Sequence, residues 1–180
     1  MMLHKDVESV LLSQEKLEKI VKSLAKQIEK DYNGKEFIMV GLLKGSIVFM
    51  AELMTKINLD FTIDFMVASS YGGGTESSGK VKIVKDLSIS PKDKDILIVE
   101  DIVDSGNTLN FVINHLVSQG AASVRVCTLC DKPSRRRVPL TPDYCGAEIP
   151  DEFIVGYGLD YDEKYRNLPY IGILKRSVYE

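Results

Sequence analysis

Three carboxylates, Glu100, Asp101 and Asp104, are followed at once by Ser105, Gly106, Asn107 and Thr108. The small and hydroxyl-bearing residues are those of a tight turn into a helix, whose first N–H groups lack intrahelical partners and can hold a phosphate. Three acids beside a phosphate would repel it unless their charge serves something adjacent. Backbone amides of residues 105–108 can take the phosphate while Glu100 and Asp101, one step earlier, reach hydroxyls or a hydrated Mg²⁺. A phosphate, a diol and a metal held together suggest a ribose 5-phosphate.

Such a constellation needs a strand before it and a helix after it. Ile96, Leu97, Ile98 and Val99 form a short apolar run, which predicts a strand buried on both faces within a parallel sheet. Leu109, Val112, Ile113, Leu116 and Val117 recur at helical spacing. Ligands of open α/β sheets bind outside the carboxyl ends of strands, which is where this loop would lie. The whole run, I-L-I-V-E-D-I-V-D-S-G-N-T-L over 96–109, resembles the phosphoribosyl-pyrophosphate (PRPP) motif of the type I phosphoribosyltransferases.

With 180 residues the chain suits one well-buried core. Hydrophobic residues at 44% and charged ones at 27%, with no repetitive tract, read as soluble and globular. A net charge of −3 argues against a nucleic-acid surface. No membrane-spanning run or signal-like start is visible, and a cytoplasmic protein is expected. Cys127, Cys130 and Cys145 are odd in number and suit a reducing compartment. The C-x-x-C at 127–130 falls in a strand pattern without a second pair or a nearby His, so neither a zinc nor a redox site is expected.

Along the chain, residues 13–31 read as an amphipathic helix with Ser13 as N-cap and Asn33-Gly34 as its stop. The S-x-x-K at 13–16 has no support for acyl transfer elsewhere. A buried strand over 36–43 ends at Lys44-Gly45-Ser46, before an apolar helix over 47–57. Lys44 can neutralise a phosphate there, and Gly45 lets backbone come close. Residues 60–68 read as a third strand, followed by a glycine-rich loop from Ser69 to Gly79 and a further strand over 81–84. G-T-E-S-S-G-K at 74–80 imitates a P-loop, but Val81 stands where Ser or Thr must hold Mg²⁺, and the sequence continues as a strand. A hinged lid that excludes water from the site is the better reading.

Residues 123–129 predict another strand, with Lys132 at its carboxyl end, able to donate to a carbonyl oxygen. Arg135, Arg136 and Arg137 form a short basic cluster without interleaved aromatics, read as a solvated or subunit-facing loop and not as an RNA surface. Phe153, Ile154 and Val155 suggest a short strand, and Asp160 and Arg166 punctuate an aromatic-rich segment. His4, in an N-terminal tail, and His115, mid-helix, are given no role.

P-D-E-F-I-V-G-Y-G-L-D-Y, with Arg six residues after its second Asp, resembles the C-terminal segment of hypoxanthine-guanine phosphoribosyltransferases, and L-C-D-K-P-S-R-R points to the bacterial type. The resemblance covers residues 36–173. It implies the type I phosphoribosyltransferase fold: α/β, with a twisted, mainly parallel sheet flanked by helices, a small hood subdomain and a mobile lid. One domain over 1–180 is expected, its hood formed by the N- and C-terminal segments and its lid near 69–82.

The same resemblance implies Mg²⁺-dependent transfer of phosphoribosyl from PRPP to hypoxanthine or guanine, releasing pyrophosphate. Phe153 would stack on the purine, Lys132 would donate to its 6-oxo group, and Ile154 and backbone as far as Asp160 would contact the base. Asp160 would ligate Mg²⁺ on pyrophosphate, and Lys44, Gly45, Ser70, Tyr71 and Arg166 would meet the pyrophosphate. Glu100 and Asp101 would engage the ribose hydroxyls and a second Mg²⁺. Ser105, Gly106, Asn107 and Thr108 would hold the 5-phosphate, and Asp104 would accept the N7 proton of the base or stabilise it as charge develops at the ribose. A cis peptide bond is expected between Leu43 and Lys44, and a homodimer or homotetramer is expected. Lys132 favours a 6-oxo group over the 6-amino group of adenine. The competing readings are a xanthine-preferring transferase and a PRPP- or nucleotide-sensing RNA-binding regulator on the same fold.

Overall fold

The computed structural model describes residues 3–70 and 81–180, with backbone alone at Ser70. In chain order the elements are β1 (Val7–Leu12), α1 (Gln14–Tyr32), β2 (Phe37–Leu42), α2 (Ile47–Met54), β3 (Thr62–Ser70), β4 (Val81–Lys85), β5 (Asp95–Val103), α3 (Asn107–Ser118), β6 (Ser123–Asp131), β7 (Tyr144–Glu148), β8 (Ile154–Val155), β9 (Ile171–Leu174) and α4 (Arg176–Tyr179).

Six strands form one sheet in the order β4-β3-β2-β5-β6-β7. Only the β3–β4 pair is antiparallel. The apolar runs explain the centre: every residue of β2 is buried, as are Ile96, Leu97, Ile98 and Val99 of β5. Strands enclosed on both faces need no polar alternation. On one side α1 buries Leu17, Val21, Leu24, Ala25 and Ile28, and on the other α3 buries Leu109, Val112 and Leu116. Removing one of these leucine side chains costs about 2–5 kcal/mol. Ser13 caps α1 by accepting from the Lys16 N–H at 3.3 Å, so its hydroxyl serves the helix; Gly34, at φ +75°, ends the turn that follows.

A second sheet is antiparallel, in the order β1-β9-β8, and joins the two ends of the chain. Val7, Val155, Tyr170 and Leu174 make its buried cluster.

Several boundaries differ from the sequence reading. Residues 7–12, given no element from sequence, are a strand, because β9 at residues 171–174 supplies the partner. Strands β7 and β9 and helix α4 were not anticipated. Helix α2 stops at Met54, where the Lys56 N–H turns back to the Leu53 carbonyl at 3.0 Å. Strand β5 continues past Val99, pairing Glu100 with Thr128 and Val103 with Asp131. The first two acids therefore belong to the strand and only Asp104 to the loop. Cys127, Cys130 and Cys145 are free; burial pushes the Cys127 and Cys130 thiols far above their ordinary range.

Candidate active site

The carboxyl ends of parallel strands β2, β5 and β6 bring three turns to one edge of the sheet. After β2 comes Lys44-Gly45, entered through a cis peptide bond at Leu43–Lys44, as expected. The buried Ser46 hydroxyl closes this turn by donating to the Leu42 carbonyl at 2.7 Å. Gly45 abuts Asp101 so closely that a methyl group there would overlap the carboxylate. Gly158, from the β8–β9 connection, packs as tightly on the Gly45 carbonyl.

Asp101 is buried, and its Oδ1 accepts from the Ile102 N–H at 2.8 Å. Burial is the main reason that its carboxyl is raised to about 6, partly countered by backbone N–H groups and Arg166. Burial, then the neighbouring Asp101 charge, holds the Glu100 carboxyl well above the usual carboxylate range. Two oxygen-bearing groups with elevated proton affinity are short of positive charge. Among the described residues no three His, Cys, Asp or Glu side chains converge as a metal cage. The donor set nonetheless fits Mg²⁺, which is commonly held by one or two carboxylates together with substrate phosphates.

The turn after β5 leads through Gly106, at φ +79°, into α3, whose N-terminus has no side-chain cap. Asn107 and Thr108 are the first helical residues, and the Asn107 N–H reaches Ser105 Oγ at 3.4 Å. Asn107 also borders a separate cavity with Asn110 and Asn114. Carbonyls of the turn are tied from behind: Arg136 donates to the Asp104 carbonyl, and the Arg137 N–H to that of Ser105 at 2.9 Å. With its oxygens so engaged and its helix uncapped, the turn can offer amides to an anion.

The basic cluster departs from the sequence reading at one residue: Arg135 and Arg137 are exposed, as a solvated loop requires, and Arg136 is not. Arg136 is largely buried, paired with Asp131, and also donates to the Leu140 carbonyl at 3.0 Å. Arg135 Nε lies 2.9 Å from Asp104 Oδ1 but is not aligned for a hydrogen bond, and its Nη1 donates to Asp151 Oδ1 at 3.3 Å. A solvated or subunit-facing loop was expected for all three because sequence spacing cannot reveal that the Arg136 side chain folds back on the Asp104 carbonyl.

Lys132 follows β6, its N–H bonded to the Val103 carbonyl at 2.9 Å, which sets it beside Asp104. Its ammonium donates to the Glu152 carbonyl at 2.6 Å, and burial lowers its proton affinity, with the Asp104 charge opposing. Asp104, Lys132, Phe153, Ile154 and Asp160 share one cavity of about 390 Å³, with Ile102 and Tyr179 also on its walls. Five residues predicted from separate stretches therefore meet.

Arg166 pairs with Asp160 at 3.0 Å and with Glu163 at 3.3 Å, while Lys44 reaches the same Glu163 at 3.1 Å. Arg166 also donates to the Gly158 carbonyl at 2.7 Å. Glu163, Arg136 and Tyr179 were missed by sequence reasoning; only the chain's folding gives them these neighbours. Ser70 ends β3 at the same edge of the sheet, and Tyr71 and most of the predicted lid lie outside the described residues.

Residues 9–162 match the phosphoribosyl transferase domain family. The chain is 51% identical over 177 residues to the hypoxanthine-guanine phosphoribosyltransferase of Staphylococcus aureus, covering 98% of this chain and 99% of that protein. The Staphylococcus epidermidis protein of the same name matches to the same extent. A crystal structure of a hypoxanthine phosphoribosyltransferase from Staphylococcus aureus superposes with a TM-score of 0.95 at 51% identity, covering 98% of this chain and 96% of that one. One of a hypoxanthine-guanine phosphoribosyltransferase from Bacillus anthracis gives 0.90 at 50% identity, over 94% and 99% of the two chains. With this sheet, this turn into α3 and these matches over nearly its whole length, the chain belongs to the phosphoribosyltransferase family.

Proposed function

We propose that the protein transfers the 5-phosphoribosyl group of PRPP to hypoxanthine and guanine, forming the nucleotide and pyrophosphate in purine salvage. The observation that carries this reading is the single cavity bounded by Asp104, Lys132, Phe153, Ile154 and Asp160, beside the uncapped start of α3. An acid, an ammonium donor and an aromatic face there suit a 6-oxopurine, and the N–H groups of residues 105–108 suit a 5-phosphate.

In the reaction a purine ring nitrogen attacks C1 of the ribose as the C1–O bond to pyrophosphate breaks, and the leaving group departs with the electron pair. Positive charge develops on the ribose, so positioning and charge stabilisation matter more than a protein nucleophile. Glu100 and Asp101 hold the ribose hydroxyls. Asp104 takes the N7 proton of the base. Lys132 has donors beyond the one given to Glu152 and directs one to the 6-oxo oxygen. Phe153 stacks on the ring, and Ile154 and the backbone as far as Asp160 border it. Lys44, Gly45 and Arg166, with Ser70 and Tyr71, receive pyrophosphate. Glu100, Asp101 and Asp160 would hold Mg²⁺ together with the substrate phosphates, and the bound ion would supply charge neutralisation for the departing pyrophosphate.

The wider proposal takes residues 1–180 as one domain hooded by the small sheet, working as a homodimer or homotetramer in the cytoplasm. No helix among the described residues is long and apolar enough to cross a membrane. Against the RNA-binding alternative, Arg135 and Arg136 pair with acids of this chain, Asp104, Asp131 and Asp151.

The test supplies PRPP and Mg²⁺ with hypoxanthine, guanine, xanthine, adenine and uracil in turn and follows nucleotide formation. Turnover with hypoxanthine and guanine is expected. A preference for xanthine would reassign the substrate, and no turnover with any purine would overturn the proposal.

A further inference from the structure

Phe153 is 37% exposed, and its neighbours are aromatic. Tyr179 stacks on one face, with centroids 4.8 Å apart and planes inclined by 25°. Tyr161 meets the ring edge-on at 5.4 Å and 89°. Stacked and edge-to-face pairs of this kind favour a fixed relative geometry beyond simple area burial. One face and one edge of the ring are thus covered, and Phe153 lines the cavity that it shares with Asp104 and Lys132.

The backbone explains how a residue so near the end of the sequence reaches this ring. The Leu174 N–H bonds to the Phe153 carbonyl at 2.8 Å, so the last strand runs beside the ring's own residue. The Lys175 N–H then bonds to the Asp6 carbonyl at 2.9 Å, and α4 turns the chain back. Val178 and Tyr179 pack on the cluster of Val7, Val155, Tyr170 and Leu174. Tyr179 is thus anchored by the small sheet while its ring lies on Phe153 and borders the cavity.

We propose that Tyr179 is a positioning residue for the purine: it backs the Phe153 ring and fixes the plane on which the base stacks. This rests on the base-binding reading of Phe153 given above. A purine stacking on the open face meets a ring already held in orientation, and little ordering is left to the binding event.

The test compares Tyr179→Ala, Tyr179→Leu and Tyr179→Phe with Phe153→Ala by steady-state kinetics. Tyr179→Ala and Tyr179→Leu should raise KM for hypoxanthine and guanine about three- to tenfold, in line with the loss of one aromatic pair, with kcat and the KM for PRPP unchanged. Tyr179→Phe should restore the wild-type value, since stacking and not the hydroxyl is invoked. Tyr179→Leu keeps apolar volume against the small sheet and guards against misfolding of the alanine variant. Wild-type base KM in both non-aromatic variants, or an equal rise in KM for base and PRPP, overturns the inference. If Phe153→Ala itself leaves base KM unchanged, the base-site reading fails with it; if only Phe153→Ala raises it, that reading stands and the role of Tyr179 falls.

Discussion

Gly45 and Asp101 are in direct contact, one from the turn after β2 and the other from the last part of β5. The absence of a side chain at residue 45 is what allows the carboxylate to lie against the backbone. Gly45→Ala should therefore displace either the Lys44-Gly45 turn or Asp101, at a cost of about 1–3 kcal/mol from overpacking. Thermal unfolding would read that loss. Turnover should fall far more than stability does, because both displaced groups belong to the proposed PRPP site.

Asp101→Asn should stabilise the metal-free protein while removing activity. The folded carboxyl is raised from 3.8 to about 6, chiefly by burial, so the folded state binds the proton more tightly than the unfolded chain does. Wild-type stability then falls as pH rises through that window, by about 3 kcal/mol at most. The variant's advantage should be absent below about pH 4, grow between pH 4 and 6, and be complete above it. Denaturant midpoints at pH 3.5, 5 and 7.5 in a chelator would check this. An advantage independent of pH would exclude the ionised carboxylate as its source.

Asp104→Asn should retain PRPP binding and lose about 10²- to 10⁴-fold in turnover, the usual worth of a positioned proton acceptor. PRPP affinity by calorimetry, set beside kcat, separates the two. Near-normal turnover would remove Asp104 as the base.

Arg136 serves the proposed phosphate site without lining the base cavity. Its guanidinium holds the Asp104 and Leu140 carbonyls and the Asp131 carboxylate. Arg136→Lys keeps the charge but not the planar fork, and should raise KM for PRPP about tenfold with base KM little changed. Arg136→Ala leaves Asp131 buried and unpaired and should cost about 3–5 kcal/mol. Unfolding curves and PRPP saturation would measure these losses.

Glu163 holds the two cations proposed for pyrophosphate. Hydrogen bonds from Lys44 and then Arg166 lower its carboxyl below the ordinary range, so it remains an anion at neutral pH. Pyrophosphate must compete with it. Glu163→Gln should tighten pyrophosphate binding about two- to fivefold, as expected for an exposed pair. Product-inhibition constants would report it, and weaker inhibition would contradict the competition.

Much of the site was legible because its residues follow strands with uninterrupted apolar runs. The 96–99 run announced β5, and the small residues after it announced the turn into α3. Lys44 and Lys132 could be read similarly, each placed just past a buried strand. Strand β1 was illegible because V-E-S-V-L-L has a mixed pattern and its partner lies in another part of the chain. Arg136 looked like one of three surface arginines, and nothing in its spacing distinguishes it from Arg137. Glu163 sits in a hairpin with positive φ at Asp162, Glu163 and Tyr165, a geometry without a glycine to signal it.

The small sheet sets an order on biosynthesis. Strand β9 is its central strand and pairs with both β1 and β8, so the sheet cannot close until residues 171–174 have left the ribosome. By then the turn into α3, within the larger sheet, has long been synthesised. A nascent chain can therefore assemble the proposed phosphate half before the proposed base half, whose aromatic wall includes Tyr179. Such long-range pairing is slow compared with local folding. Chains stalled just before residue 171 would thus be expected to expose Val7 and Val155, which the closed sheet buries, a hydrophobic mark by which quality control can tell an open small sheet from a closed one.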